Sequence, residues 1–296
     1  MKATVVINAE SSRSERHIAQ LREMLEAHAI EIEHFALVDS HVALRKRVRR
    51  AVKRDARLVI VGGGDGTMTE AVNVLAHEKA VLGILPLGTG NSFAQTLRIG
   101  TDLRSAIEVI AAGREVRVDL GVMNKRYFAN FATIGLSAEI AASTSRELKH
   151  AIGAAAYAVA GIKPFVTHPA FRANVRWEDG DMRLSTKQMV IASGRIFGKR
   201  PVTPDASITD GRLAFFTSTG ISQLEVARMY VAFGLGLQTL LPDAQTLSAR
   251  KITVKTSPKQ PVNLDGEAWG TTPARFSIDP RALRVMVPQE FVDAAN

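Results

Sequence analysis

Along the first 120 residues the chain alternates between two hydrophobic periods. Short apolar runs at residues 3–8, 30–37, 58–61 and 81–85 have the length and β-branched content of buried strands. Between them apolar residues return at helical spacing: Ile18, Leu21, Met24 and Leu25, then Leu44, Val48, Ala51 and Val52, then Met68, Ala71, Val72 and Leu75. Strand and helix in turn predict a mostly parallel sheet with helices on both faces, a class whose ligands bind at the carboxyl ends of the strands.

From about Asn124 the pattern changes. Segments 127–133, 171–177, 187–192, 213–217, 252–255 and 284–287 are short and rich in β-branched and aromatic residues. Turn formers divide them: Glu178-Asp179-Gly180-Asp181, Asp210-Gly211, Ser257-Pro258 and Asp279-Pro280. This half predicts a mostly antiparallel, sandwich-like domain with helical insertions at residues 146–162 and 222–241. In the second insertion Met229, Phe233, Leu237 and Leu241 recur at helical spacing, which predicts core packing. The expected organisation is an α/β domain over residues 1–124, joined by 285–296, and a β-rich domain over 125–284; a chain of 296 residues suits two domains.

Composition narrows the chemistry. With no cysteine, structural disulfides, thiolate zinc sites and a cysteine nucleophile are excluded, and a reducing, cytoplasmic compartment is expected. The N-terminal apolar stretch is too short for a signal-peptide core, and the uncharged stretches 151–162 and 229–242 are too short to span a membrane. A soluble or peripheral protein follows. The seven histidines show no metal-ligand spacing and are expected at the surface. An excess of 38 Lys+Arg over 29 Asp+Glu predicts attraction to something anionic. Its densest part, residues 45–54, holds seven cations around the apolar stripe of a predicted helix. Contact with an anionic membrane surface is the functional expectation for that helix. Nucleic acid is not expected, because no recognition motif or interleaved aromatics accompany the charge.

The sharpest chemical feature is Gly62-Gly63-Gly64-Asp65-Gly66-Thr67-Met68-Thr69-Glu70, directly after a buried strand. Glycines admit close backbone approach, and a helix N-terminus binds anions such as phosphate. Thr67 with Glu70 predicts a capping box for the next helix. Asp65 would repel a phosphate unless a cation stood between them, which suggests Mg²⁺ bridging to nucleotide phosphates. A second turn, Gly88-Thr89-Gly90-Asn91-Ser92, follows the next strand, with Asn91 as the expected N-cap. The sequence is neither Walker A nor the dinucleotide fingerprint.

These turns, together with Leu85-Pro86-Leu87 before the second, Asn263-Leu264-Asp265-Gly266-Glu267 late in the chain, Pro204-Asp205-Ala206 with Asp210-Gly211, and the ending Ala282-Leu283-Arg284-Val285, resemble the diacylglycerol kinase catalytic family. The likeness is to its bacterial YegS/DgkB-type lipid kinases and covers nearly the whole chain. It implies an NAD-kinase/phosphofructokinase-like α/β nucleotide-binding domain followed by a β-sandwich. It also implies ATP and Mg²⁺ as cofactors and a lipid hydroxyl as acceptor, foremost that of diacylglycerol, with phosphatidylglycerol or a sphingoid base as alternatives. Residues Gly63, Gly64, Asp65, Gly66, Thr67, Met68, Thr69 and Glu70, with Gly88, Thr89 and Asn91, match the ATP-phosphate site. Glu267 matches the general base, and Asp119 an aspartate of the Mg²⁺ network. Asp210, with the carbonyls of Ser207 and Arg212, matches a second Mg²⁺ site. A homodimer is compatible with this reading. The chain departs from the family at Ser92, where an aspartate is usual, at Ala9-Glu10 after the first strand, and at Val38-Asp39-Ser40 after the second. A kinase of a soluble acceptor such as NAD, and a non-catalytic binding member, are the rival functions.

Overall fold

The computed structural model describes residues 1–9, 15–143, 165, 167–194, 196–197 and 200–292. The described residues divide into two compact units: Met1–Leu120 with residues 280–292, and Gly121–Asp279.

In the first unit β1 (Lys2–Asn8), β2 (Glu31–Val38), β3 (Leu58–Gly63) and β4 (Val81–Pro86) form a parallel sheet in the order β2-β1-β3-β4. The second half of β18 (Ala274–Val287) extends it, with Val285 beside Leu82. Every residue of β3 is buried, as expected for a strand covered on both faces. The flanking helices are α1 (Glu15–Ala27), α2 (His41–Lys53), α3 (Asp65–Leu75), the short α4 (Ser92–Thr96) and α5 (Leu103–Ala112). Leu44, Val48 and Ala51 of α2 and Met68, Ala71, Val72 and Leu75 of α3 are buried, so the sequence periodicity marks the faces laid on the sheet. No segment of the described residues is a helix long and apolar enough to cross a membrane.

The second unit is a sandwich of antiparallel sheets. One has the order β14 (Ala244–Ala249), β13 (Leu213–Ser218), β10 (Gln188–Ala192), β7 (Phe131–Gly135), β16 (Pro261–Leu264), β17 (Glu267–Thr271). The other pairs β9 (Gly180–Thr186), β8 (Phe171–Trp177), β15 (Lys251–Ser257) and the first half of β18. Period two divides the first sheet between two cores. Met189, Ile191, Leu213 and Phe215 join Phe171, Val175, Ile252, Val254 and Phe276 of the facing sheet. Val190, Ala192, Ala214 and Phe216 point the other way, against Val226, Met229 and Phe233 of α7 (Gln223–Leu235). This is why β10 and β13 read as unbroken apolar runs.

Several expectations change. The single strand expected over 127–133 is broken into β6 (Arg126–Phe128) and β7, because the amides of Ala129, Asn130 and Phe131 turn to the Asp265 carboxylate instead of a neighbouring strand. Asp279-Pro280 does not divide strands. Both lie within β18, and Arg281 absorbs the irregularity with φ +56° while its N–H donates to Asp119 Oδ1 at 2.7 Å. In the expected core stripe of 222–241, Met229 and Phe233 are buried, but Leu237 is exposed, beyond the left-handed Gly236 that ends α7. His168 is not at the surface: it is buried, with Nδ1 paired to Glu139 and its ring edge-on to Phe171. The helix expected over 146–162 lies outside the described residues.

One clip in the second unit is testable. Asp243 accepts hydrogen bonds from the Ser218 hydroxyl and the Gly220 amide, and pairs with Arg228 of α7 at 2.5 Å. Burial pushes its carboxyl up, but the Ser218 hydroxyl, Arg228 and the Gly220 amide outweigh it and hold the pKa below the ordinary value. A depressed folded pKa gives stability that is present above the unfolded value and lost as pH falls through the folded one. Asp243→Asn is expected to lower stability by about 1–2 kcal/mol at neutral pH. Thermal or urea melts should show that deficit shrinking once the pH drops below about 4.

Candidate active site

The two glycine turns leave the carboxyl ends of β3 and β4 and abut one another. Leu87 N–H donates to Gly63 O at 3.0 Å, and a Cβ on Gly88 would lie 2.4 Å from Gly64 Cα. A Cβ on Gly90 would come within 2.7 Å of Asp65 Oδ2. Glycine is therefore required here first for the turns to meet. Asp65 opens α3 and reaches across to the second turn, where Oδ1 accepts from Phe93 N–H at 3.3 Å.

The expected capping box does not form. Gly64 is the N-cap of α3 and offers no side chain, Thr67 Oγ1 accepts from Asn8 Nδ2 at 3.0 Å, and Glu70 turns inward to an ion pair with Arg45 at 2.5 Å. The start of α3 thus has no side-chain cap, the condition in which helix amides take an external anion. Asn91 also departs from its expected geometry. It precedes α4 in the left-handed region, φ +50°, and its side chain reaches back to Gly88 N–H at 3.0 Å and Gly88 O at 2.7 Å, so it winds the second turn instead of capping the helix.

The candidate phosphate residues consequently fall into two groups. Gly64, Asp65, Gly66, Gly88 and Thr89 retain solvent exposure. Gly63, Thr67, Met68, Thr69, Glu70 and Asn91 are buried and shape the turns from behind. Asp119, 1% exposed in β5 (Arg114–Met123), is a buried acceptor for Arg281 N–H. In the sequence Arg45 stands out only as one member of a basic run. Its pairing with Glu70, 25 positions away, carries no local signal.

In the second unit Glu267 is half-buried at the start of β17, immediately after the Asp265-Gly266 turn. Asp265 is buried and its carboxylate accepts three backbone amides. The Asp210 region is a loop wound on itself: Asp210 Oδ1 accepts from Arg212 N–H at 2.9 Å, and Ser207 Oγ from Thr209 N–H at 3.1 Å. The Arg212 guanidinium lies on Ser248, donating to its carbonyl at 2.6 Å.

Comparison with known proteins matches the same two parts of the chain. Residues 2–123 match the diacylglycerol kinase catalytic domain, and residues 130–287 the YegS C-terminal NAD kinase beta sandwich-like domain. A diacylglycerol kinase of Staphylococcus carnosus (strain TM300) is 30% identical over 249 residues, covering 82% of this chain and 80% of that protein. One from Staphylococcus aureus (strain JH9) is 28% identical over 247 residues, with 82% and 78% covered. A crystal structure of a diacylglycerol kinase from Bacillus anthracis str. Sterne aligns over 98% of both chains with a TM-score of 0.76 at 19% identity, a likeness of fold. With both halves matched in order, the chain belongs to the diacylglycerol kinase catalytic-domain family of lipid kinases, in the form that carries the YegS-type C-terminal domain.

Proposed function

We propose that this protein transfers the γ-phosphoryl group of ATP to the hydroxyl of diacylglycerol. The observation that carries the reading is the uncapped, glycine-flanked start of α3 pressed against the second glycine turn, within a chain of this family. Amides of Gly64, Asp65 and Gly66 would bind the phosphates, with Thr89 at the rim of the second turn. The hydroxyl oxygen of the lipid attacks the γ-phosphorus, the bond to the β–γ bridging oxygen breaks, and ADP leaves with that oxygen. Glu267 accepts the proton of the attacking hydroxyl through its carboxylate. Such a transfer asks a protein chiefly to position the reactants, to balance charge and to take one proton.

The residues present fit Mg²⁺ as the counter-charge. A half-exposed carboxylate, Asp65, stands where phosphate oxygens would gather, and Gly90 leaves the space that the carboxylate occupies. Hard oxygen donors of this kind suit Mg²⁺, which when bound neutralises phosphate charge. Asp119, sealed beneath Arg281, would contribute through the chain it braces. At the second candidate site the exposed Asp210 carboxylate, with the carbonyls of Ser207 and Arg212, is also an all-oxygen set.

Glu267→Gln is expected to cut lipid phosphorylation by at least about 100-fold while leaving ATP affinity unchanged. Labelled ATP, Mg²⁺ and a total lipid extract, followed by identification of the labelled product, check the activity and the acceptor together. Phosphorylation of NAD alone would overturn the proposal.

The reading includes peripheral contact with an anionic membrane. On α2 the inward face is Leu44, Val48 and Ala51, while Lys46, Arg47, Arg49, Arg50 and Lys53 are exposed. A shallow groove of about 430 Å³ runs along Val42, Arg45, Lys46, Arg49, Arg50 and Lys53. Each cation held at an acidic leaflet contributes about 1 kcal/mol. Changing Lys46, Arg49, Arg50 and Lys53 together to Gln is expected to abolish sedimentation with phosphatidylglycerol vesicles at low salt. Raising the salt should weaken the wild type in the same assay, and unchanged binding by the variant would remove α2 from the proposal.

A further inference from the structure

The turn that carries Glu267 is held far more firmly than a solvated hairpin requires. Leu264 pairs with Glu267, so Asp265 and Gly266 are the two central residues, with φ +48° and +95°. Two positive φ values define the type I′ turn that Asp-Gly favours. The turn is then clamped to the segment joining β6 and β7. Asp265 N–H donates to Phe131 O at 2.9 Å; Asp265 Oδ2 accepts from Ala129 N–H at 2.7 Å, and Oδ1 from Asn130 N–H at 2.9 Å and Phe131 N–H at 3.0 Å. On the other side of the turn Asn263 Oδ1 accepts from Gly266 N–H at 2.8 Å.

The segment that receives the clamp is itself fixed. Asn130 O accepts from Ser193 N–H at 2.9 Å and Gly194 N–H at 3.0 Å, and Ser193 Oγ donates to Phe128 O at 3.1 Å. Asp265 is 6% exposed, whereas Glu267 two residues on is partly open to solvent. A carboxylate that accepts several amides is held in one orientation. The result is a rigid anchor next to a reactive side chain.

We infer that Asp265 is a positioning residue for the transfer: by clamping its own turn onto residues 129–131 it fixes the place from which the Glu267 carboxylate accepts the hydroxyl proton. The inference rests on the assignment of Glu267 as the base. A misplacement of about 1 Å can cost about 100-fold in rate, and without the clamp the Asp-Gly joint is the hinge that would allow one. The competing role is structural only, since three buried amides need an acceptor wherever the chemistry lies.

Kinetics of the full-length protein separate the two. Asp265→Asn puts a donor against one of the amides. The inference expects kcat for lipid phosphorylation to fall about 100-fold, ATP affinity measured by calorimetry to stay the same, and the residual rate of Glu267→Gln to be unaffected when the second change is added. Equal losses in the wild-type and Glu267→Gln backgrounds, or a wild-type kcat for Asp265→Asn, would overturn it. Gly266→Ala covers the case in which Asp265→Asn does not fold. Its added Cβ meets nothing within 4 Å and the carboxylate bonds remain, but the left-handed backbone beside Glu267 is strained. It too should lower kcat only where Glu267 is intact, and a wild-type kcat in Gly266→Ala would sink the inference. Full activity in Glu267→Gln would instead show that the base itself had been misassigned, and the positioning role would fall with it.

Discussion

Asp265 takes three backbone amides, Asp119 takes Arg281 N–H, Asp65 takes Phe93 N–H and Asp243 takes Gly220 N–H. Apart from Phe93, which lies in α4, these amides lie where a strand ends, breaks or bends. These hydrogen bonds are buried or part-buried, so a backbone donor that leaves its ladder there has little water to turn to and is given an acceptor instead. Carboxylates supply it, and they do so more strongly than neutral acceptors would. The break between β6 and β7 and the setting of the Asp265-Gly266 turn follow from how those few amides are satisfied.

Those local solutions also distribute the chemistry. In the first unit Asp65 is tied to the second glycine turn while the start of α3 is left without a side-chain cap, so acidic and amide groups are presented together. That combination suits polyphosphate with a divalent cation better than phosphate alone, because a bare carboxylate would repel the anion. Glu70, which by position could have competed for the same amides, is instead neutralised by Arg45. In the second unit the buried Asp265 and the partly exposed Glu267 stand two residues apart with opposite duties, one holding backbone and one facing outward.

The charge excess divides along similar lines. Arg45 of the basic run is half-buried and committed to Glu70, so the exposed cations of α2 are fewer than the run suggests. What remains is a one-sided helix whose opposite face is built into the core. Its amphipathicity is that of an ordinary packed helix with an unusually basic outer surface.

Much of this was legible in the chain. The apolar runs at 3–8, 30–37, 58–61 and 81–85 became β1 to β4, since period and length are local properties; β2, expected as a buried strand, is the edge of the sheet and mostly open to solvent. The glycine turns and the Asp-Gly-Glu turn were likewise visible as residue strings, and with them the family. The sequence alone therefore determined the strand and helix periods, the layer architecture and the glycine and Asp-Gly-Glu turns that carry the polar chemistry. Tertiary structure decided which partner each polar group takes: Glu70 with Arg45 and not its own helix start, Asn91 with Gly88, His168 with Glu139 in the interior, and Asp265 with amides 134 to 136 positions away. Hydrogen-bond partners of that separation leave no periodic trace, because they are chosen by which buried donors remain unsatisfied once the sheets have packed.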